Sequence, residues 1–219
     1  AVVAFMRLGA AWQQTDVLRC KDCVCTGSAA SGCFGASVAL HDEVAVVGFP
    51  LNNSVLVFRR ELLPAKTIVV AWTLHAVLTQ EGTSSFGASV AVGASLLVVG
   101  FPALMNAGAI LYRIDRHADS DADSTGAGVS LSAVLDSRDR CCDIGLPCCD
   151  SSHVGASVSL SEFSHYDKAS QATVAVGDPF SSQVHAFTCN LSQLAARHPH
   201  ACTMAAAILP GYERGSRSD

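Results

Sequence analysis

Three aspartates at alternate positions, Asp119, Asp121 and Asp123, with Gly126 just beyond, form the densest group of like chemistry in the chain. Alternating carboxylates can converge on calcium, a hard cation that takes several oxygen ligands. Two parts of such a loop are missing: Ser124 stands where a sharp-turn glycine belongs, and no bidentate glutamate follows. Calcium is the one cofactor the sequence admits, as a weak site, against the plainer reading of a solvated acidic loop. Thiols are the second candidate. The ten cysteines fall in even groups: Cys20, Cys23, Cys25 and Cys33; Cys141, Cys142, Cys148 and Cys149; Cys189 and Cys202. Each group sits on a long connection, as staples would. Disulfides formed in an oxidising, extracellular or cell-surface setting account for this pattern. Zinc is the competing reading for Cys20 and Cys23 with Cys25 and Cys33. It lacks a second pair at the same spacing, and the adjacent cysteines of the second group suit it poorly.

Nucleophilic catalysis is the third. Gly35-Ala-Ser37-Val-Ala39 has the outline of a nucleophile elbow, yet it recurs around Ser89 and Ser157. A serine present in every unit, with no strand-to-helix context, is structural. No catalytic residue is assigned, and the chain reads as a non-enzyme. His198 and His200 are the only close pair among eight scattered histidines. No phosphate-loop or dinucleotide glycine pattern occurs. Asn52 and Asn190 open glycosylation triplets. The net charge of −5, with no basic run longer than Arg59-Arg60, offers no footprint for nucleic acid.

The elements that position these groups come in repeats. Phe34-Gly-Ala-Ser-Val-Ala-Leu40 precedes Val44-Ala-Val-Val-Gly-Phe-Pro50. Phe86-Gly-Ala-Ser-Val-Ala-Val92 precedes Leu96-Leu-Val-Val-Gly-Phe-Pro102, and Val154-Gly-Ala-Ser-Val-Ser-Leu160 precedes Thr173-Val-Ala-Val-Gly-Asp-Pro179. Such a period means stacked supersecondary units. The first segment alternates, with Phe86, Ala88, Val90 and Val92 on one face, which predicts a strand from Phe86 to Val92. The second is continuously apolar, so both its faces must be covered, and it is expected to stop at Gly100-Phe101-Pro102. A third strand follows at Val55–Arg59, Ala109–Arg113 and Val184–Thr188. A fourth aligns Trp12–Leu18, Trp72–Leu78, Val129–Leu135 and Thr203–Leu209. The recurring Phe5, Phe58, Tyr112 and Phe187 are expected in the core between units, as are Trp12 and Trp72. Residues 86–112 carry no charged side chain and are long enough to span a membrane as a helix. Gly93, Gly100, Pro102 and Gly108 interrupt them at strand intervals, and the matching stretch of the first copy carries His41, Asp42 and Glu43. No spanning segment is expected.

Four antiparallel strands, repeated and covered on both faces, describe propeller blades. The Phe-Gly-Ala-Ser-Val-Ala segment, the Val-Val-Gly-x-Pro segment and the apolar aromatic strand together resemble the FG-GAP repeat of integrin alpha-subunit propellers. The resemblance covers roughly residues 1–209. It departs from the family pattern where Gly-Phe-Pro or Gly-Asp-Pro replaces Gly-Ala-Pro, and where Val154 replaces phenylalanine. The expected fold is all-β, a partial propeller of about three and a half four-stranded blades. A half-blade over 1–18 precedes blades at about 34–78, 86–135 and 154–209, with Cys-rich loops at 19–33 and 136–153 and a polar tail at 210–219. Propellers have about four to eight blades, so the chain reads as part of a larger ring whose remaining blades are its partners. The resemblance implies ligand-facing loops containing Leu51, Asn52 and Asn53, then Ala103, Leu104 and Met105, then Phe180 and Ser181. It implies an extracellular protein or glycan ligand, in a setting such as adhesion. It also places the family's calcium loops elsewhere than Asp119–Asp123. The alternative is an accessory propeller of a secreted enzyme, such as a phospholipase or glycosidase.

Overall fold

The computed structural model describes residues 1–21, 32–62, 70–102, 107–115, 128–135, 153–165, 168–196, 198 and 200–208. The chain is all-β, in four antiparallel sheets. Strands β1 (Val2–Leu8) and β2 (Ala11–Leu18) form a front pair. The second sheet holds β3 (Ser37–His41), β4 (Val44–Phe49), β5 (Ser54–Leu62) and β6 (Val70–Thr79) in chain order. The third holds β7 (Ser89–Val92), β8 (Leu96–Phe101), β9 (Gly108–Ile114) and β10 (Val129–Leu135). The last holds β11 (Ser157–His165), β12 (Lys168–Asp178), β13 (Gln183–Asn190) and β14 (Cys202–Ile208), with a short helix α1 (Leu191–Ala195) before β14. The uncharged stretch 86–112 is thus built of strands, and no described helix is long and apolar enough to cross a membrane.

One irregularity proves the units equivalent. In every sheet the pairing of the last two strands slips by one residue, at the aromatic position of the earlier strand. The slip falls at Phe5, Phe58, Tyr112 and Phe187, and the extra residue on the later strand is Thr15, His75, Ser132 and Ala205 respectively. Such a bulge bends a strand and tightens its twist. Strands β1 and β2 therefore correspond to the third and fourth strands of the later sheets.

The sequence pattern placed Phe86-Gly-Ala in a strand, whereas the strand begins at Ser89. The preceding residues are a tight turn, because Gly35, Gly87 and Gly155 take φ of +94°, +91° and +92°, a region open to glycine but strained for other residues. Each turn makes the same two bonds. The glycine amide donates to the Gly48, Gly100 or Gly177 carbonyl at 3.0–3.1 Å, and the next alanine amide donates back to Cys33, Ser85 or His153. Strands β4 and β8 run through the Gly-Phe pair and stop only at proline. The third unit's hairpin is longer than expected. Residues Ser161–His165 and Lys168–Ala172 extend its two strands beyond the length of β3–β4 and β7–β8.

Each pair of neighbouring sheets encloses its own core. Leu18 of β2 meets Val47, Phe49, Leu56 and Phe58; Val44, Val46, Val55 and Val57 meet Phe86, Leu97, Val99 and Tyr112; Leu96, Val98 and Leu111 meet Val154, Val174, Val176 and Phe187. Strand β8 is buried on both faces, as its unbroken apolar run requires. Polar ties cross these interfaces. The Ser37 hydroxyl donates to the Gly87 carbonyl at 2.7 Å, and Ser89 donates to Gly155 at 2.7 Å. The Trp72 amide donates to Asp16 Oδ2 at 2.9 Å. The Glu162 carboxylate accepts from the Ser95 amide, the Ser95 hydroxyl and the Leu96 amide, clamping the β7–β8 turn at 2.9–3.1 Å. The repeated Gly-Ala-Ser serine is thus a bridge between sheets.

The two ends of this stack differ. At the front, Phe5 and Trp12 are exposed, whereas Phe58, Tyr112 and Phe187 are buried. At the rear, strand register matches Ser159, Thr173 and Thr188 of the last sheet with Ala39 and Ala91, Val44 and Leu96, and Arg59 and Arg113. Ser157, Ser159, Ser161, Gln171, Thr173 and Thr203 are all exposed there, with Phe163 and Val184 as the apolar exceptions.

Candidate functional site

The turns after β4 and β12 stand at the same end of their sheets. In the first, Pro50–Asn52 forms a single 3-10 turn. Proline presets φ for it, and Asn53 closes it with φ +46° while its amide donates to the Pro50 carbonyl at 3.1 Å. The Asn53 side chain then accepts from the Phe86 amide at 3.2 Å, fixing the turn to the next unit. Leu51 is left 57% exposed. Asn52, a candidate glycosylation site, is exposed beside it.

The turn after Pro179 is built differently. Asp178 Oδ1 accepts from the His153, Phe180 and Ser181 amides, and Oδ2 accepts from the Ser181 hydroxyl at 2.7 Å. Burial alone would raise its pKa. The hydrogen bonds from the Ser181 side chain and from those amides outweigh burial and hold it below the ordinary value. Phe180 is 66% exposed, and the His153 ring stacks on it at 5.6 Å between centroids. Below this turn His185 is buried, and its Nδ1 has no hydrogen-bond partner. Burial depresses its pKa against the opposing pull of Asp178. Strand register shows the origin of the pair. Asp178 and His185 stand where the second sheet has Phe49 and Leu56 and the third has Phe101 and Ile110. The last unit has exchanged a buried apolar pair for a carboxylate and an imidazole.

This cluster positions a turn rather than a reaction. Ser181 donates to the carboxylate, so it is oriented away from the role of a nucleophile activated by histidine. Among the described residues no group of three His, Cys, Asp or Glu side chains can hold a metal ion. The acidic run Asp119, Asp121 and Asp123 lies outside the described residues, as do Ala103, Leu104 and Met105 and the cysteines Cys23, Cys25, Cys141, Cys142, Cys148 and Cys149. Of the remaining cysteines, Cys189 and Cys202 form a disulfide, and Cys20 and Cys33 are each disulfide-bonded. The Cys189–Cys202 bridge joins residues thirteen apart in sequence, and the segment between them contains helix α1 where a loop was expected. Asn190 caps that helix, its Oδ1 accepting from the Ser192 and Gln193 amides and from the Ser192 hydroxyl. The triplet that reads as a glycosylation signal is thus also a helix start.

The sequence reading missed the Asp178–His185 pair. Its signal was present: Asp178 breaks the Gly-Phe-Pro pattern, and His185 interrupts an apolar strand seven residues later. The Glu162 clamp left no such trace, because its partners are backbone groups. No protein-family model matches the chain, and no curated protein sequence matches it significantly.

Proposed function

We propose that the sheets are blades of a β-propeller of the FG-GAP type, and that the turns after Pro50 and Pro179 belong to a non-catalytic surface binding an extracellular protein or glycan. The observation that carries this reading is the matched exposure of Leu51 and Phe180, 57% and 66%, one residue beyond the Gly-x-Pro proline of two different units. Single exposed apolar residues are ordinary. The same position left apolar and exposed on two hydrogen-bonded turns supplies preorganised anchors, which lose little freedom on binding. The disulfide state of Cys20, Cys33, Cys189 and Cys202 accords with passage through an oxidising compartment. Further blades beside this stack are part of the same proposal.

The test is a screen of the disulfide-intact chain against arrays of cell-surface ectodomains and glycans, repeated with Leu51→Asp and Phe180→Asp. The reading expects a ligand whose binding both substitutions weaken at unchanged thermal stability. A screen without any ligand, or one whose ligands ignore both substitutions, rejects it.

A further inference from the structure

Two turns at the same end of the sheets are held by different parts. The turn after Pro50 is closed by the Asn53 amide on the Pro50 carbonyl and tied to the next unit by the Asn53 carboxamide. Neither group titrates. The turn after Pro179 hangs on the Asp178 carboxylate, whose Oδ1 accepts from the His153, Phe180 and Ser181 amides and whose Oδ2 accepts from the Ser181 hydroxyl. We propose that a proton on His185 unlatches this second turn, so that mild acid frees Phe180 and His153 while the turn after Pro50 stays closed.

Strand register sets the pair. Asp178 stands opposite Gln183 and His185 opposite Val176, so the two side chains are diagonal neighbours on one face of the sheet, within reach of an aromatic ring. Both are buried. A neutral imidazole tolerates that place with Nδ1 unpartnered. An imidazolium does not: both ring nitrogens then carry hydrogen, and a buried charge needs an opposite charge beside it.

The surroundings offer one such charge. The third sheet faces this side of β12 and β13 with apolar side chains, Ala109, Leu111 and Leu135 among them. Strand β14 sets Ala207 opposite His185, and helix α1 has no ionisable residue. His153, on the turn before β11, lies with its ring against Phe180. Among the described residues, Asp178 is the charged group that acts on His185. The imidazole stands two residues into the sheet from Asp178, whereas the three amides lie in the turns beyond it. A carboxylate drawn to the first leaves the second. His185 starts from 6.5 and Asp178 from 3.8, and both are lowered, so the imidazole charges while the carboxylate is still ionised. Where Phe180 anchors a ligand, acid then releases it. That consequence rests on the function proposed above; the response of the turn itself does not.

Hydrogen exchange of the ligand-free, disulfide-intact chain tests this, read by NMR from about pH 7 to about pH 4.5 and corrected for the intrinsic rate. Protection at the Phe180 and Ser181 amides should fall at least about fivefold. Its midpoint should coincide with the titration of the His185 ring protons, and cross-peaks between the His153 and Phe180 rings should fade with it. The Asn53 amide should show no such step. His185→Leu, which supplies the residue that Leu56 provides in the second sheet, should keep the turn closed over the whole range. His153→Phe, which keeps a ring on Phe180, should still open. An unchanged turn in the parent overturns the proposal, as does a step that survives His185→Leu, vanishes in His153→Phe or appears equally at Asn53. No ligand enters the measurement, so its outcome is separate from whether Phe180 binds one.

Discussion

The serine of the repeated Gly-Ala-Ser turn offers the sharpest test, because the chain carries it in two settings. Ser37 and Ser89 each donate to a glycine carbonyl of the next sheet at 2.7 Å, in the normal range for an O–H···O bond. Ser157 occupies the same strand position but has no next sheet among the described residues. The acceptors Gly87 and Gly155 are buried. Space beside them is closed: a Cβ placed on Gly48 or Gly100 would lie on the Gly87 or Gly155 carbonyl oxygen. Removing a hydroxyl there costs the net bond, about 0.5–1.5 kcal/mol, and leaves an acceptor facing part of its desolvation penalty of about 1–3 kcal/mol. We expect Ser37→Ala and Ser89→Ala each to cost about 1–2 kcal/mol, and Ser157→Ala to stay within about 0.5 kcal/mol. Urea unfolding of the oxidised chain reads this as a shift in midpoint at constant slope. In a domain of this size it corresponds to roughly 2–4 °C of melting temperature for each kcal/mol. Three equal losses would mean that the serine stabilises its own strand and that the bridging argument is mistaken. Three negligible losses would mean that the interface admits water.

Other substitutions probe other ties. Glu162→Ala removes the acceptor for three donors on the β7–β8 turn, at an expected cost of about 2–3 kcal/mol; hydrogen exchange should localise the loosening to residues 93–96, and uniform loosening would contradict a local clamp. Asp178 has a depressed pKa in the folded chain, so its contribution is fully present above the ordinary 3.8 and is lost as pH falls through the folded value. Asp178→Asn should flatten that acid limb of the stability curve, and an unchanged limb would count against the hydrogen-bond account. His185 is also depressed, but by burial of a group that is neutral when folded. The unfolded chain takes up the proton first, so stability declines as pH falls from 6.5 towards the folded value. His185→Leu, the residue of the second sheet, should remove this part of the decline, leaving that of His75, which burial and Arg59 also depress. Replacing Cys189 and Cys202 together by serine should cost about 3 kcal/mol through the freed loop; calorimetry finding no loss would show that helix α1 and its cap hold the segment unaided.

Strand content and repeat order were legible because they rest on side-chain periodicity, which survives in the residues themselves. The continuous apolar runs at Val44–Val47 and Leu96–Val99 required two covered faces and are buried on both. The start of each first strand was not legible. Phe86-Gly-Ala alternates like a strand, and only the positive φ of Gly87 reveals a turn. Phe5 and Trp12 were expected in a core by analogy with their repeats. They are exposed because burial depends on a neighbour's strands, which a residue's own type does not encode. Leu51 and Phe180 each stand one residue past the repeated Gly-x-Pro and are exposed there, whereas the aspartate that builds one of these turns looked like a minor departure. Its role depends on amide donors from His153, Phe180 and Ser181, and backbone donors leave no mark on composition.

The hydroxyl-lined rear face has a consequence for behaviour in concentrated solution. A unit whose back matched its own front would polymerise, since head-to-tail contacts that fail to close grow without limit. Threonine at 173 and serine at 159, where valine, leucine or alanine stand in the earlier sheets, make the rear face a poorer match for the apolar front. Reverting them, Thr173→Val with Ser159→Ala, should improve that match, and light scattering at high concentration should then rise above that of the parent.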